Sequence, residues 1–348
     1  MSMVVAVVGA LVLAAVLIGV WALVRGQSRA ADDGRPRRGQ IVLPEEIERT
    51  QALATAFGQS DSALLWSALG PAGGMALPEL PPLETPAVAQ ARERLQAGAL
   101  SGQALPRRPQ LLPQLMVALN DPTSTATKLA GIIGQDPVLA ATLMRIANSA
   151  AHRRRHAPLE SLERVVVKVG HEGLERLLSA ALVQPVLALE ERELRGFAST
   201  LWRHGRLASA AAAYHARLVE RIDPLPLQLG SLLPALSCLL VLRALPALAD
   251  KRLDATERLQ LLLASQYKVA AEIARRWELP ETLATALEGQ PSPAFNALQF
   301  GRRMAWAWMQ VEDGVVESQQ ARMALAAHSS EQAVNTVWQR LGEIQELS

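Results

Sequence analysis

A single cysteine, Cys238, occurs in 348 residues. That excludes an intramolecular disulfide and a zinc site built from cysteines, and it fits a reducing compartment. Aromatic residues make up only 4% and glycine and proline are scattered, while Leu, Ala, Arg, Gln and Glu dominate; such a composition favours helix over strand. An excess of charge is missing too. At a net +2, nothing global argues for nucleic-acid binding. The chain also lacks a Gly-rich phosphate loop, a nucleophile elbow, an internal repeat and a low-complexity tract. What it has is apolar residues, half of the total, enough for the core of one large domain or two modest ones. The expected fold class is all-α.

Val4 to Val24 is an uninterrupted apolar run with thirteen Val, Leu and Ile residues. As a helix it rises about 31 Å, which matches a hydrocarbon core of about 30 Å, so one transmembrane helix is expected within residues 1–25. Ser28-Arg29-Ala30 imitates a signal-peptide cleavage site, but no basic segment precedes the run. No Lys or Arg stands before it, whereas Arg25, Arg29, Arg35, Arg37 and Arg38 follow it. By the positive-inside rule the N-terminus is outside and the bulk of the chain cytoplasmic.

Residues 26–104 read as a linker with short helices. Pro44-Glu45-Glu46 opens one carrying Ile47, Leu53 and Phe57, and Leu64, Leu65 and Leu69 form a second short apolar face. Gly70-Pro71-Ala72-Gly73-Gly74 and Pro78, Pro81, Pro82 and Pro86 then favour an extended spacer. A third short helix is expected from Pro86 to Ala97, ending near Gly98.

From Leu105 the pattern is continuous. Helices are expected near 109–120, 123–134, 137–151, 159–168 and 171–189, then near 194–220, 265–277 and 280–288, with residues 291–348 as a C-terminal helical extension that includes Trp306 and Trp308. Leu229 to Leu248 is apolar enough for a second span. Pro234, Pro246 and the preceding Pro224 and Pro226 argue for a buried core helix instead.

The most informative stretch is Asp136 to Ala150, DPVLAATLMRIANSA. Asp136 suits a helix N-cap and Pro137 the first helical position; Leu139, Leu143, Ile146 and Ala150 then form one apolar stripe. Asn148 is expected to bond the backbone of a neighbouring segment. Together with Leu105-Pro106, Asn120-Asp121-Pro122, Leu129-Ala130, Ile132-Ile133, Pro158, Ser161-Leu162 and Val169-Gly170, this stretch resembles the HD-related output domain (HDOD) of bacterial signalling proteins. The resemblance runs over residues 105–290. It implies a helical first half, a second half similar to a metal-dependent HD phosphohydrolase, a bacterial inner-membrane location for the anchored chain, and a regulatory role through a signalling-protein or small-ligand partner.

HD-type hydrolysis needs histidines and aspartates around one or two metal ions. Trp202-Arg203-His204 matches the first histidine of that pattern. The His-Asp pair expected in the central helix is replaced by Leu232-Leu233-Pro234-Ala235-Leu236-Ser237, the later histidine by Ser265-Gln266-Tyr267-Lys268, and the final one by Glu288-Gly289-Gln290. His215 lies roughly 16 Å along the helix from His204 and cannot share an ion with it. His204 is therefore expected as the packed remnant of an HD-type site, with no catalytic residues, no metal and no cofactor. His152 and His156 are four apart, but Arg153, Arg154 and Arg155 between them repel a cation. The cluster is a candidate contact for an anion or an acidic partner. The expected function is a membrane-anchored, non-catalytic signalling module acting through binding. The alternatives are a divergent metal-dependent phosphohydrolase of the HD superfamily and a membrane-tethered structural scaffold.

Overall fold

Several helix starts in this chain are set by side chains that accept otherwise orphaned backbone N–H groups. Asp254 accepts the Glu257 N–H at 2.8 Å while the Glu257 carboxylate accepts the Asp254 N–H at 3.1 Å, a reciprocal box. Thr125, Asp136 and Ser292 accept N–H groups at the starts of their helices, Asp136 Oδ1 accepting from Val138 and Leu139 at 2.9 and 3.0 Å. The computed structural model describes residues 44–69, 84–99, 105–106, 108–121, 123–153, 159–187 and 194–346. Among them are fourteen α-helices and no strand, an all-α fold. The expected span 4–24 lies outside the described residues.

The helices are α1 (Pro44–Gly58), α2 (Ser60–Leu69), α3 (Pro86–Arg94), α4 (Leu112–Asn120), α5 (Ala126–Ile133), α6 (Pro137–Arg153), α7 (Leu162–Leu187), α8 (Arg195–His215), α9 (Pro224–Leu248), α10 (Ala255–Arg276), α11 (Glu281–Leu287), α12 (Pro293–Glu312), α13 (Ser318–Ala326) and α14 (Glu331–Glu346). Helices α4–α7 make the first half; α8–α11 make the second. The core lies where α8 meets α12 and α9, and where α9 meets α10.

Helix α9 explains why its sequence imitates a membrane span. By length and composition it qualifies as one, but its apolar side chains are buried against α7, α8 and α10. It is a core helix. Pro234 and Pro246 are accommodated inside it. Gly170, expected as a boundary, sits at φ 68°, ψ −177° within α7. Only glycine adopts that conformation readily, so the expected helices before and after it are two arms of one broken helix.

Asn148 behaves as expected. Its Nδ2 donates to the Leu159 carbonyl at 3.0 Å and its Oδ1 accepts the Leu159 N–H at 2.7 Å, so one amide satisfies both polar groups of the segment entering α7. Asn148→Leu should cost about 1–3 kcal/mol by leaving those groups without partners. Thermal unfolding of the full chain in detergent checks this, and an unchanged midpoint would remove the role assigned to Asn148.

The two halves are also joined by a buried acid. Glu175 of α7, 3% exposed, is held by Arg217 just after α8 and by Gln228 Nε2 of α9 at 3.3 Å. Burial pushes its carboxyl up despite the nearby Arg217 charge.

The stretch expected to be a linker is more than a tether. Phe57 of α1, Leu64 and Leu65 of α2, and Val88 and Ala91 of α3 are buried in the same apolar cluster as the rest of the domain. Helix α1 packs on α13 and α12, α2 on α8, α10 and α12, and α3 on α10 and α9. The C-terminal helices pack in likewise. Trp306 is buried, and the Trp308 ring centre lies 4.7 Å from that of Trp338 in α14.

Candidate functional site

A guanidinium taken out of water costs several kcal/mol unless partners surround it. Arg302 of α12 is only 9% exposed and sits in a buried stripe with Leu298, Ala305 and Met309 at helical spacing. Its guanidinium carbon lies 4.4 Å from the centre of the Tyr267 ring on α10, a cation–π contact. The Tyr267 O–H donates to Asp61 Oδ2 of α2 at 2.7 Å. The Arg302 carbonyl accepts the Nε2–H of His204 on α8 at 3.1 Å. Beside Tyr267, Gln266 Oε1 accepts from Cys238 Sγ of α9 at 3.5 Å. One polar cluster therefore joins α2, α8, α9, α10 and α12.

The electrostatics follow from burial. Desolvation pushes His204 down to about 4, so its ring is neutral at physiological pH and holds its proton on Nε2. Burial first, and then the Arg302 and Asp61 charges with opposite effects, leave the Tyr267 phenol well above its ordinary range; it stays a donor. Burial works against the Arg302 charge, but Tyr267 and Asp61 more than offset it. Two buried donors, Arg302 Nε and Gln266 Nε2, have no hydrogen-bond partner among the described residues.

These residues do not fit a hydrolytic metal. Such an ion needs several imidazoles or carboxylates near 2 Å. Here the His204 imidazole gives its Nε2–H to a carbonyl, and the charge at the centre is a fixed cation. Among the described residues no group of three or more His, Cys, Asp or Glu is placed to hold a metal.

Residues 105–293, over half of the chain, match the family model described as the HDOD domain. The chain belongs to the HDOD family. Similar solved structures include a Shewanella amazonensis protein named "Putative phosphohydrolase" (20% identity, 76% of this chain and 96% of that one, TM-score 0.49). They also include an HDOD domain protein of unknown function from Geobacter sulfurreducens (17%, 75% and 98%, 0.46). A third, from Shewanella amazonensis, is named "Putative metal-dependent phosphohydrolase" (16%, 71% and 99%, 0.43). No protein with a curated description matches.

In this HDOD domain only some of the positions that the sequence singles out for an HD-type site come together: Glu288, Gly289 and Gln290 are exposed, and Glu288 pairs with Arg275 at 2.6 Å. His204, Gln266 and Tyr267 all belong to the Arg302 cluster, while Leu232, Leu233, Leu236 and Ser237 are buried in α9. His215 is elsewhere, with its ring 4.3 Å from Phe300. The backbone of α6 reaches Arg153; the side chains of His152, Arg153, Arg154, Arg155 and His156 lie outside the described residues. Sequence reasoning missed Asp61 and Arg302, both of which fall outside the matched 105–293. Arg302 had a readable signal, a lone charge at a core-facing position of an amphipathic helix. Asp61 had none, because its role depends on where α2 docks.

Proposed function

We propose that this chain is a single-pass HDOD protein of the bacterial inner membrane whose cytoplasmic helical domain regulates by binding a protein or small ligand, not by hydrolysis. The observation that carries this reading is the buried guanidinium of Arg302 beside His204 and Tyr267. A permanent positive charge stands among the positions where an HD hydrolase gathers cation ligands, and it opposes a divalent ion as surely as the missing carboxylates fail to attract one. The apolar run at 4–24 and the arginines after it support the anchor and its orientation.

The test is to purify the full chain in detergent, measure bound metal, and assay hydrolysis of a phosphodiester such as bis(p-nitrophenyl) phosphate with added manganese. No stoichiometric metal and no turnover above the blank are expected. Stoichiometric metal with turnover that disappears in His204→Ala would favour the hydrolase and overturn the binding role. Topology has its own readout, since a reporter active only in the periplasm should be inactive when fused after Ser348.

A further inference from the structure

The Arg302 cluster has a feature that a merely sealed pocket would not need. Its cation comes from α12 and its anion from α2, so both charges are supplied by segments flanking the matched family domain. Asp61 approaches from a ten-residue helix that lies across α8, α10 and α12, the three helices bearing His204, Tyr267 with Gln266, and Arg302. A helix that short has little stability of its own and depends on what it packs against. Donors also outnumber acceptors at the site. Asp61 takes the Tyr267 hydroxyl, yet Arg302 Nε and Gln266 Nε2, both on side chains more than nine-tenths buried, find no acceptor among the described residues. Buried orphan donors are costly and call for an explanation.

We propose that Arg302, Tyr267 and Gln266 form a binding site for a small carboxylate, and that in its resting state the chain occupies the Tyr267 part of this site with its own Asp61. Asp61 is then an internal stand-in for the ligand, and α2 is the cover it holds down. A free carboxylate and a docked Asp61 exclude one another, so ligand entry releases α2, and release of α2 raises affinity for the ligand by the same factor. This deepens the binding role proposed above and rests on it.

Acetate, the aspartate side chain without its backbone, is the probe. The full chain in nanodiscs is titrated with acetate at constant ionic strength against chloride, and binding is followed by NMR of isotopically labelled acetate. Asp61→Ala should bind acetate saturably and at least tenfold more tightly than the unsubstituted chain. Asp61→Asn, which keeps the shape of the side chain, should shift affinity in the same direction and covers the case in which the alanine variant fails to fold. Adding Tyr267→Phe to either variant should weaken acetate at least fivefold by removing one donor while keeping the ring. Hydrogen exchange across residues 60–69 should quicken about tenfold in both Asp61 variants, with α5 unaffected. Equal acetate affinity with and without Asp61, or no loss on Tyr267→Phe, would overturn the site. Failure of the underlying binding role would appear differently, as metal-dependent turnover in the hydrolysis assay, which Asp61 does not control.

Discussion

Gly301→Val is expected to destabilise the protein by about 3 kcal/mol or more, at the upper end of what overpacking costs. A Cβ at position 301 would stand 2.5 Å from the Ala208 carbonyl oxygen, 2.8 Å from Ala212 Cβ and 3.0 Å from the Ala212 nitrogen. The atoms met first belong to the backbone of α8 or its shortest side chains, so no rotamer change can make room. Helices α8 and α12 must separate, and that contact also positions Arg302, the next residue. For a domain of this size each kcal/mol lowers the melting temperature by roughly 2–4 °C, so a fall of about 6–12 °C is expected in the full chain. Gly131→Ala is the matched control: nothing lies within 4 Å of a Cβ there, and the helix should gain roughly 0.5–1 kcal/mol. A Gly301 variant that melts like the unsubstituted chain would contradict the close approach of α8 and α12.

Stability should also fall steeply as the pH drops from 6.5 towards 4. Burial lowers both His204 and His215 from 6.5 to about 4, so between those values the unfolded chain binds protons that the folded chain does not. Stability therefore rises with pH across that window, is fully present above 6.5, and is lost progressively on acidification. Each histidine contributes on the order of 3 kcal/mol. Glu175, pushed up by burial, has the opposite sign and offsets part of the slope. The comparison with His215→Phe isolates the effect. His215 Nδ1 has no hydrogen-bond partner among the described residues, Glu220 Oε1 standing 4.0 Å away, and its ring already packs on Phe300, so phenylalanine should preserve the packing and remove about half of the acid lability. A denaturation midpoint that is flat from pH 6.5 to 4.5 would count against both neutral histidines.

The first half of the fold was legible because its information is local. Asp136-Pro137 starts a helix, the Leu139, Leu143 and Ile146 stripe gives that helix a face, and Asn148 in so apolar a stretch needs a backbone partner, which Leu159 supplies. The prolines of the apolar α9 point to the core, and burial agrees. What escaped was non-local. Tyr267 and Asp61 are separated by 206 residues, and no periodicity relates a carboxylate on α2 to a phenol on α10. The same limit governed residues 44–69 and 84–99: glycines and prolines between short helices announce a spacer, but whether those helices dock depends on grooves that exist only after α8, α10 and α12 have assembled.

That docking separates the unit of inheritance from the unit of folding. The family match begins at residue 105, but Phe57, Leu65 and Val88 are 2%, 1% and 0% exposed against the domain that follows. A cut made at residue 105 would uncover the faces of α8, α10 and α12 on which α2 packs and take Asp61 away from Tyr267. The matched family domain is, in this chain, the middle portion of a larger packed body.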